Sequence, residues 1–320
     1  MSAARPFVVS PALTGIAIGY SNPAQLLIAD AFLPRVPVGA EKFKWLEYPL
    51  AEGFTVPDTL VGRKGSVNKV DFSAVEKTSS TKDYGLGDLI PQTDIDQARA
   101  QRDLGLSVYD PEMHAAQWLT NLIVLDREVR VAALAQNSAN YNAARVFALS
   151  GTSQFSDYTN SDPISAIQTA IDSLLVFRAN TLTMGFAVWQ KLRSHPKIVN
   201  AIKGNVTGQG IVTREEFRQL FDVKTLLIGE SWVNSARKGQ TAAIQRTWGK
   251  NLMATYIDPT ARPEGGVTFG FSPQFGTRIA GTVLDSDIGL KGGREIRVGE
   301  QISELVVAQD VGAIITGAVA

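Results

Sequence analysis

One run sets the scale of any fold this chain can adopt. Asp110 is a good helix N-cap, Pro111 suits the first helical position, and Glu112 suits the positive end of the dipole. Trp118, Leu122, Leu125, Val129 and Ala132 then recur at steps of three and four. The pattern predicts one helix from Asp110 to about Gln136 with these five residues as its core stripe. At 1.5 Å per residue it spans roughly 40 Å, the length of a whole domain. The other elements must be arranged along it.

The segments before the helix have no core of their own. Residues 28–38, IADAFLPRVPV, hold seven apolar residues and two prolines. Pro34 and Pro37 push their preceding residues toward extended conformations, which excludes helix through that point. Just upstream, Asn22 as cap and Pro23 at the first position open a short amphipathic helix with Leu26, Leu27, Ala31 and Phe32 on one face. From Glu41 to about Thr93, FKWLEYPLAEGFTV and VNKVDFSAV read as two extended legs around the Pro/Gly-punctuated VPDTLVGRKGS. A two-stranded hairpin is marginal alone in water, so it must lie on something else.

The stretch after the helix is mixed. Asp162 caps and Pro163 starts a helix whose Ile164, Ile167, Ile171, Leu174 and Leu175 form a stripe. NTLTMG reads as a strand, FAVWQKLRSH as a helix stopped by Pro196, and Thr213 with Glu216 as a capping box opening REEFRQLF. VKTLLIGE and NLMATYI are buried-strand candidates, so this stretch is a compact α+β or α/β unit. After Pro263 come strands and turns only: GVTFGF, TRIAGTVL, REIRV, ISELVVAQ and AIITGAV, with Gly292 and Gly293 as a turn. They are expected to form a sheet packed on the long helix.

The chain of 320 residues is 44% hydrophobic and 19% charged, enough for a real core. Lys plus Arg and Asp plus Glu both number 31, and no basic stretch stands out, which disfavours tight DNA binding. No cysteine is present, so disulfides and thiolate metal sites are excluded. No signal peptide or membrane span is read.

Catalytic signatures fail one by one. Glu112 and His114 lie two apart on a helix and face different ways. His195, at SHP, reads as a histidine closing a helix near its C-terminal dipole. GESWV (Gly229 to Val233) begins like a nucleophile elbow around Ser231, but Val233 stands where the second glycine belongs. GLKGGRE lacks the P-loop order and reads as a hairpin turn. No catalytic residue, cofactor or metal ligand set is expected.

The order of arm, long hairpin, long capped helix, mixed unit and returning strands resembles the major capsid proteins of tailed bacteriophages, the Hong Kong 97-type shell fold shared with encapsulins. PAQLLIADAFLPRVPV, YGLGDLIPQTD (Tyr84 to Asp94), SDPISAIQTAI, FAVWQKLRSHPKI and TWGKN (Thr247 to Asn251) carry the likeness, which covers nearly the whole chain. The resemblance implies an α+β fold with an N-arm (1–40), an extended loop (41–93), a peripheral domain (94–160) with a spine helix (110–136), an axial domain (161–261), and returning strands with a closing strand (262–320). It implies a major capsid protein whose hexamers and pentamers form an icosahedral shell around double-stranded DNA, without specific DNA binding. Portal, scaffold and decoration proteins are further partners of such shells, with the product in the virion capsid after assembly in the host cytoplasm. Because the arm begins at once, any scaffold is expected to be a separate protein or absent. A noncovalent shell is expected, although Lys64 or Lys69 could be paired with Asn251 on paper.

On this reading the residues expected to contact neighbours are Leu27, Phe32, Leu33, Arg35, Val36, Trp45, Arg63, Lys64, Lys69, Phe72 and Trp248. About 1,000 Å² of apolar contact is worth roughly 25 kcal/mol before ordering costs, so an arm and hairpin buried on neighbours would drive association. Two alternatives remain: an encapsulin-type nanocompartment shell, and an α/β serine hydrolase acting through Ser231.

Overall fold

The computed structural model describes residues 8–9, 27–47, 50–71, 73, 75–106, 109–204, 209–237, 239–262 and 265–320. In chain order the first half holds β1 (Val8–Val9), α1 (Ala29–Phe32), β2 (Arg35–Val38), β3 (Lys42–Glu47), α2 (Leu50–Phe54), β4 (Val75–Ser80), β5 (Lys82–Pro91), α3 (Gln92–Asp103) and α4 (Pro111–Gln136). Next come β6 (Val146–Ala148), α5 (Pro163–Asp172), β7 (Thr181–Gly185), α6 (Phe186–Leu192), α7 (Pro196–Lys203), α8 (Arg214–Leu220), β8 (Thr225–Gly229), β9 (Trp232–Asn234), β10 (Ile244–Arg246) and β11 (Leu252–Thr255). The chain ends in β12 (Gly270–Asp285), β13 (Gly293–Ile302), β14 (Leu305–Val306) and β15 (Gly312–Thr316).

The long helix is where the sequence puts it. The Asp110 carboxylate accepts from the Glu112 and Met113 amides, and Pro111 opens the first turn. Of the predicted stripe only Ala132 is fully buried, with Leu125 and Val129 half-buried. Ala115, Ala116, Leu119, Ile123, Val131, Ala132 and Ala135 are buried, while Trp118 is 59% and Leu122 39% exposed. Alanines let the helix axis approach the sheet closely, and the bulky residues one step around the helix are turned outward. The buried face also carries Arg127 and Glu128, and those two charges disguise it in the sequence.

This helix packs on β13 and β5 of a six-stranded sheet ordered β1-β12-β13-β5, with β2 and β14 also on β12. Ile90, Ile95, Leu119, Ile123, Ala280, Ile296 and Val298 fill the interface. A five-stranded sheet, β6-β15-β11-β7-β8, forms the second layer system with helices α5 to α8. The β7 strand is buried along its whole length, as a central strand covered on both faces must be. Two predictions for this unit stand: Asp162 caps α5, and Thr213 with Glu216 forms the capping box of α8. The closing strand β15 lies between β6 and β11 in this sheet, and β6 comes from the stretch assigned to the peripheral domain.

Other expectations need correction. The segment 82–91, inside the stretch 41–93 expected as the extended loop, pairs instead with β13 over ten consecutive positions. Among the described residues of the legs, only β3 and β4 pair (Lys42↔Ser80 to Glu47↔Val75), and residues 50–54 make a helical turn. His195 does not close a helix: its ring caps α7, with Nδ1 accepting from the Lys197 amide. In the arm, residues 22–26 lie outside the described residues, and the described helix is the single turn Ala29–Phe32.

Candidate assembly surfaces

The arm is held by two adjacent residues of the long helix. Glu128 accepts from the Ala29 amide at 2.8 Å, the Ile28 amide at 3.1 Å, and Trp248 Nε1 at 2.6 Å. Ser231 Oγ reaches the same carboxylate at 3.4 Å. Arg127 donates to the Leu33 carbonyl and Ser272 Oγ, each at 3.0 Å, and pairs with Asp30. Glu128 thus supplies the acceptor that the first amides of α1 lack, and Arg127 supplies a donor to its end.

Burial pushes the Glu128 carboxyl above the usual carboxylate range, and the Trp248, Ile28 and Ala29 donors pull back only part of that rise. Burial likewise lowers the Arg127 guanidinium, with Arg35 adding to the effect. For Asp30 burial acts upward too, yet Arg127 and Arg35 outweigh it and hold the carboxyl low. Glu300 follows Asp30: Arg35 at 2.8 Å and Arg278 at 3.0 Å overcome its burial.

The apolar side of the same anchor is a cluster of Phe32, Leu33, Val131, Ala135, Trp248, Phe269 and Ile314. Phe32 meets the Trp248 ring edge-on at 5.9 Å. Gly229 makes room for it, since a Cβ there would lie 2.1 Å from the Trp248 ring. This explains both TWGKN and the glycine of GESWV as packing motifs. Asn251 accepts from the Gly317 amide at 3.1 Å, which commits it within its own chain.

Phe32, Leu33, Val36 and Trp248, expected to meet neighbours, are each buried by their own chain, at 1% exposure or less. Leu27 is half-buried, and Arg35 is engaged with Asp30 and Glu300. Trp45 is half-buried and stacked on Phe43. Arg63, Lys64 and Lys69 are exposed on the hairpin tip, and Phe72 lies outside the described residues. Residues 53–71 are all exposed, including Val56, Leu60, Val61, Val67 and Val70. The sequence reading missed Arg127, Glu128 and the outward Trp118 and Leu122. A charged pair inside an otherwise apolar helix was the available signal.

The histidine and serine chemistry closes the hydrolase alternative. Ser231 is buried against a carboxylate, not an imidazole. His195 Nε2 lies 2.9 Å from Ser161 Oγ, but its Nδ1 accepts the Lys197 amide, so the proton sits on Nε2 and the ring cannot act as base toward Ser161. No helix among the described residues is long and apolar enough to cross a membrane.

Solved structures share this arrangement. A phage-related protein from Bordetella bronchiseptica RB50 superposes with a TM-score of 0.74 at 21% identity, over 98% of this chain and 99% of that one. The capsid of cyanophage P-SCSP1u does so with 0.59 at 9% identity, over 92% and 89%. Microbacterium phage Oxtober96 gives 0.55 at 11%, over 99% and 95%. The long helix on its sheet, the second sheet and the projecting ribbon make the Hong Kong 97-type capsid fold.

No family model matches the chain. Among curated proteins, the major capsid protein of Pseudomonas phage JBD67 is 44% identical over 315 residues, 98% of both chains. That of Burkholderia phage BcepMu is 28% identical over 256 residues, 78% of this chain and 76% of its own. The chain belongs to the phage major capsid proteins, and its copies build the shell of a virion.

Proposed function

We propose that copies of this chain associate head to tail into hexamers and pentamers, which close an icosahedral shell around double-stranded DNA in the host cytoplasm. The observation that carries this is the ribbon β3–β4 with its tip: residues 53–71 expose five large aliphatic side chains and have no core of their own. A subunit with such a projection is completed only by another subunit, and a heterologous contact that repeats by rotation closes a ring.

The formal charge of zero suits a wall that encloses DNA without gripping it, because strong phosphate contacts would oppose packing and release. The role is structural, without a reaction of its own. Within it, residues 1–40 act as arm, the ribbon as extended loop, the six-stranded sheet with α4 as peripheral domain, and the five-stranded sheet with α5 to α8 as axial domain at the capsomer axes. Electron microscopy of the purified chain tests the proposal. Closed particles with five-fold and six-fold capsomers are expected, and a subunit that stays monomeric under all assembly conditions overturns it.

A further inference from the structure

The long helix α4 is covered differently along its two halves. From Ala115 to Ile123 its buried residues pack on the six-stranded sheet, and from Val131 to Ala135 they pack in the cluster that also holds the arm. In the first half the side turned away from the sheet is left open: Trp118 is 59%, Met113 43% and Leu122 39% exposed, with His114 exposed beside them. His114, Trp118 and Leu122 are four residues apart and so stand in one row. The imidazole and indole planes lie within 11° of each other, with centroids 6.5 Å apart. An indole left more than half in water, in a row with other apolar side chains, marks a contact surface.

Charge narrows the kind of contact. The thirteen residues from Met113 to Leu125 include no Asp, Glu, Lys or Arg. Exposure does not account for this, because the neighbouring helix α3 fills exposed positions with Asp94, Asp96, Arg99 and Asp103. A shell of rings needs two sorts of contact. Within a ring, neighbours meet head to tail, and a charged patch can find its opposite there. Where two rings meet across a two-fold axis, a residue near the axis faces its own copy, so a charge faces the same charge. A neutral apolar row avoids that repulsion.

We propose that this side of α4 joins one ring to the next by packing against the same side of α4 in a second copy, with Trp118 near the two-fold axis. The inference rests on the shell reading above and adds the contact between rings to the contact within them. Residues four apart form the ridges that interlock when two helices cross at roughly −50°, and two copies of one helix bring identical ridges. About the axis, His114 of one copy is carried toward Leu122 of the other. The row from His114 to Leu122 is roughly 12 Å long, which suits a crossing of two helices at that angle. Glu112 and Asp126 lie outside it at either end.

The chain has no cysteine, so a single one reports whether a residue meets its own copy. Trp118→Cys particles, oxidised and run on a non-reducing gel, are expected to give covalent dimers, while rings isolated before closure are expected to give monomers. His114→Cys combined with Leu122→Cys keeps the indole and is also expected to stop at dimers, since both bonds lead to one partner. Trp118→Glu is expected to leave the subunit's urea midpoint in place and to lower the particle yield about ten-fold, with partial recovery at high salt. Leu122→Glu serves where Trp118→Glu moves that midpoint. Particles whose Trp118→Cys chains stay monomeric, dimers already present in isolated rings, trimers from the double variant, or wild-type yield with the glutamates each overturn the two-fold contact and leave the shell reading intact. Wild-type chain that forms no particles overturns both.

Discussion

Residues 28–38 and residues 55–71 share one trait as sequence: each sets large aliphatic side chains between prolines or glycines and is unable to make a core. In the folded chain they part company. The first is drawn into its own subunit, where Phe32, Leu33 and Val36 are buried; the second keeps every residue exposed. Apolar content differs, seven residues of eleven against five of seventeen, and so does polar anchoring. Arg127 and Glu128, from the distant helix, meet the backbone of 28–33. Within 55–71, Asp58 and Gly62 accept from Leu60, Asn68 and Gly65 of the same segment.

The contrast breaks most visibly at Phe32. Phe32→Ala removes a fully buried ring and is expected to destabilise the unassembled subunit by about 3–5 kcal/mol, read from its urea midpoint. If the arm instead belonged on a neighbour, the isolated subunit would hardly notice. Next in size is Glu128→Ala, which strands the Trp248 Nε1 and two amides and is expected to cost about 1–3 kcal/mol in the same measurement.

The pH dependence of the anchor sharpens the comparison. The folded state raises the Glu128 carboxyl, so it holds its proton where the unfolded chain has released it. Its contribution to stability therefore falls as pH rises from the ordinary value of 4.5 through the raised one. Asp30 and Glu300 are held low and act oppositely: their contribution is present above the ordinary carboxylate values and is lost as pH falls through the folded ones. Melting temperature against pH is expected to lose its falling limb in Glu128→Gln and keep the acid-side loss.

The smallest stability effect is expected at the tip. Leu60→Ala or Val67→Ala should move the subunit's urea midpoint by no more than about 0.5 kcal/mol, yet reduce the particle yield seen by light scattering. A tip variant that destabilises the free subunit as Phe32→Ala does would erase the distinction between the two segments.

Much of the frame was legible because it is written in local chemistry. Asp110-Pro111, Asp162-Pro163 and Thr213-Glu216 announce helix starts through caps that need no tertiary information. The burial of the arm was not legible, since its partners Glu128 and Trp248 lie about a hundred and two hundred residues further on. The outward turn of Trp118 was hidden for a related reason. Period alone gives a stripe, and two stripes one residue apart on the same helix are told apart only by what packs on them.

Every strong polar bond to residues 28, 29 and 33 falls on main-chain atoms: two amides to Glu128 and one carbonyl to Arg127. Such a grip is blind to the side chains it holds. Drift at positions 28, 29 and 33 is free wherever size and greasiness are kept, whereas Asp30 answers to Arg127 through its side chain and a change at position 127 or 128 must be answered by rerouting the chain. In related phage heads, covariation should thus be sought in the path of the arm and not in its letters.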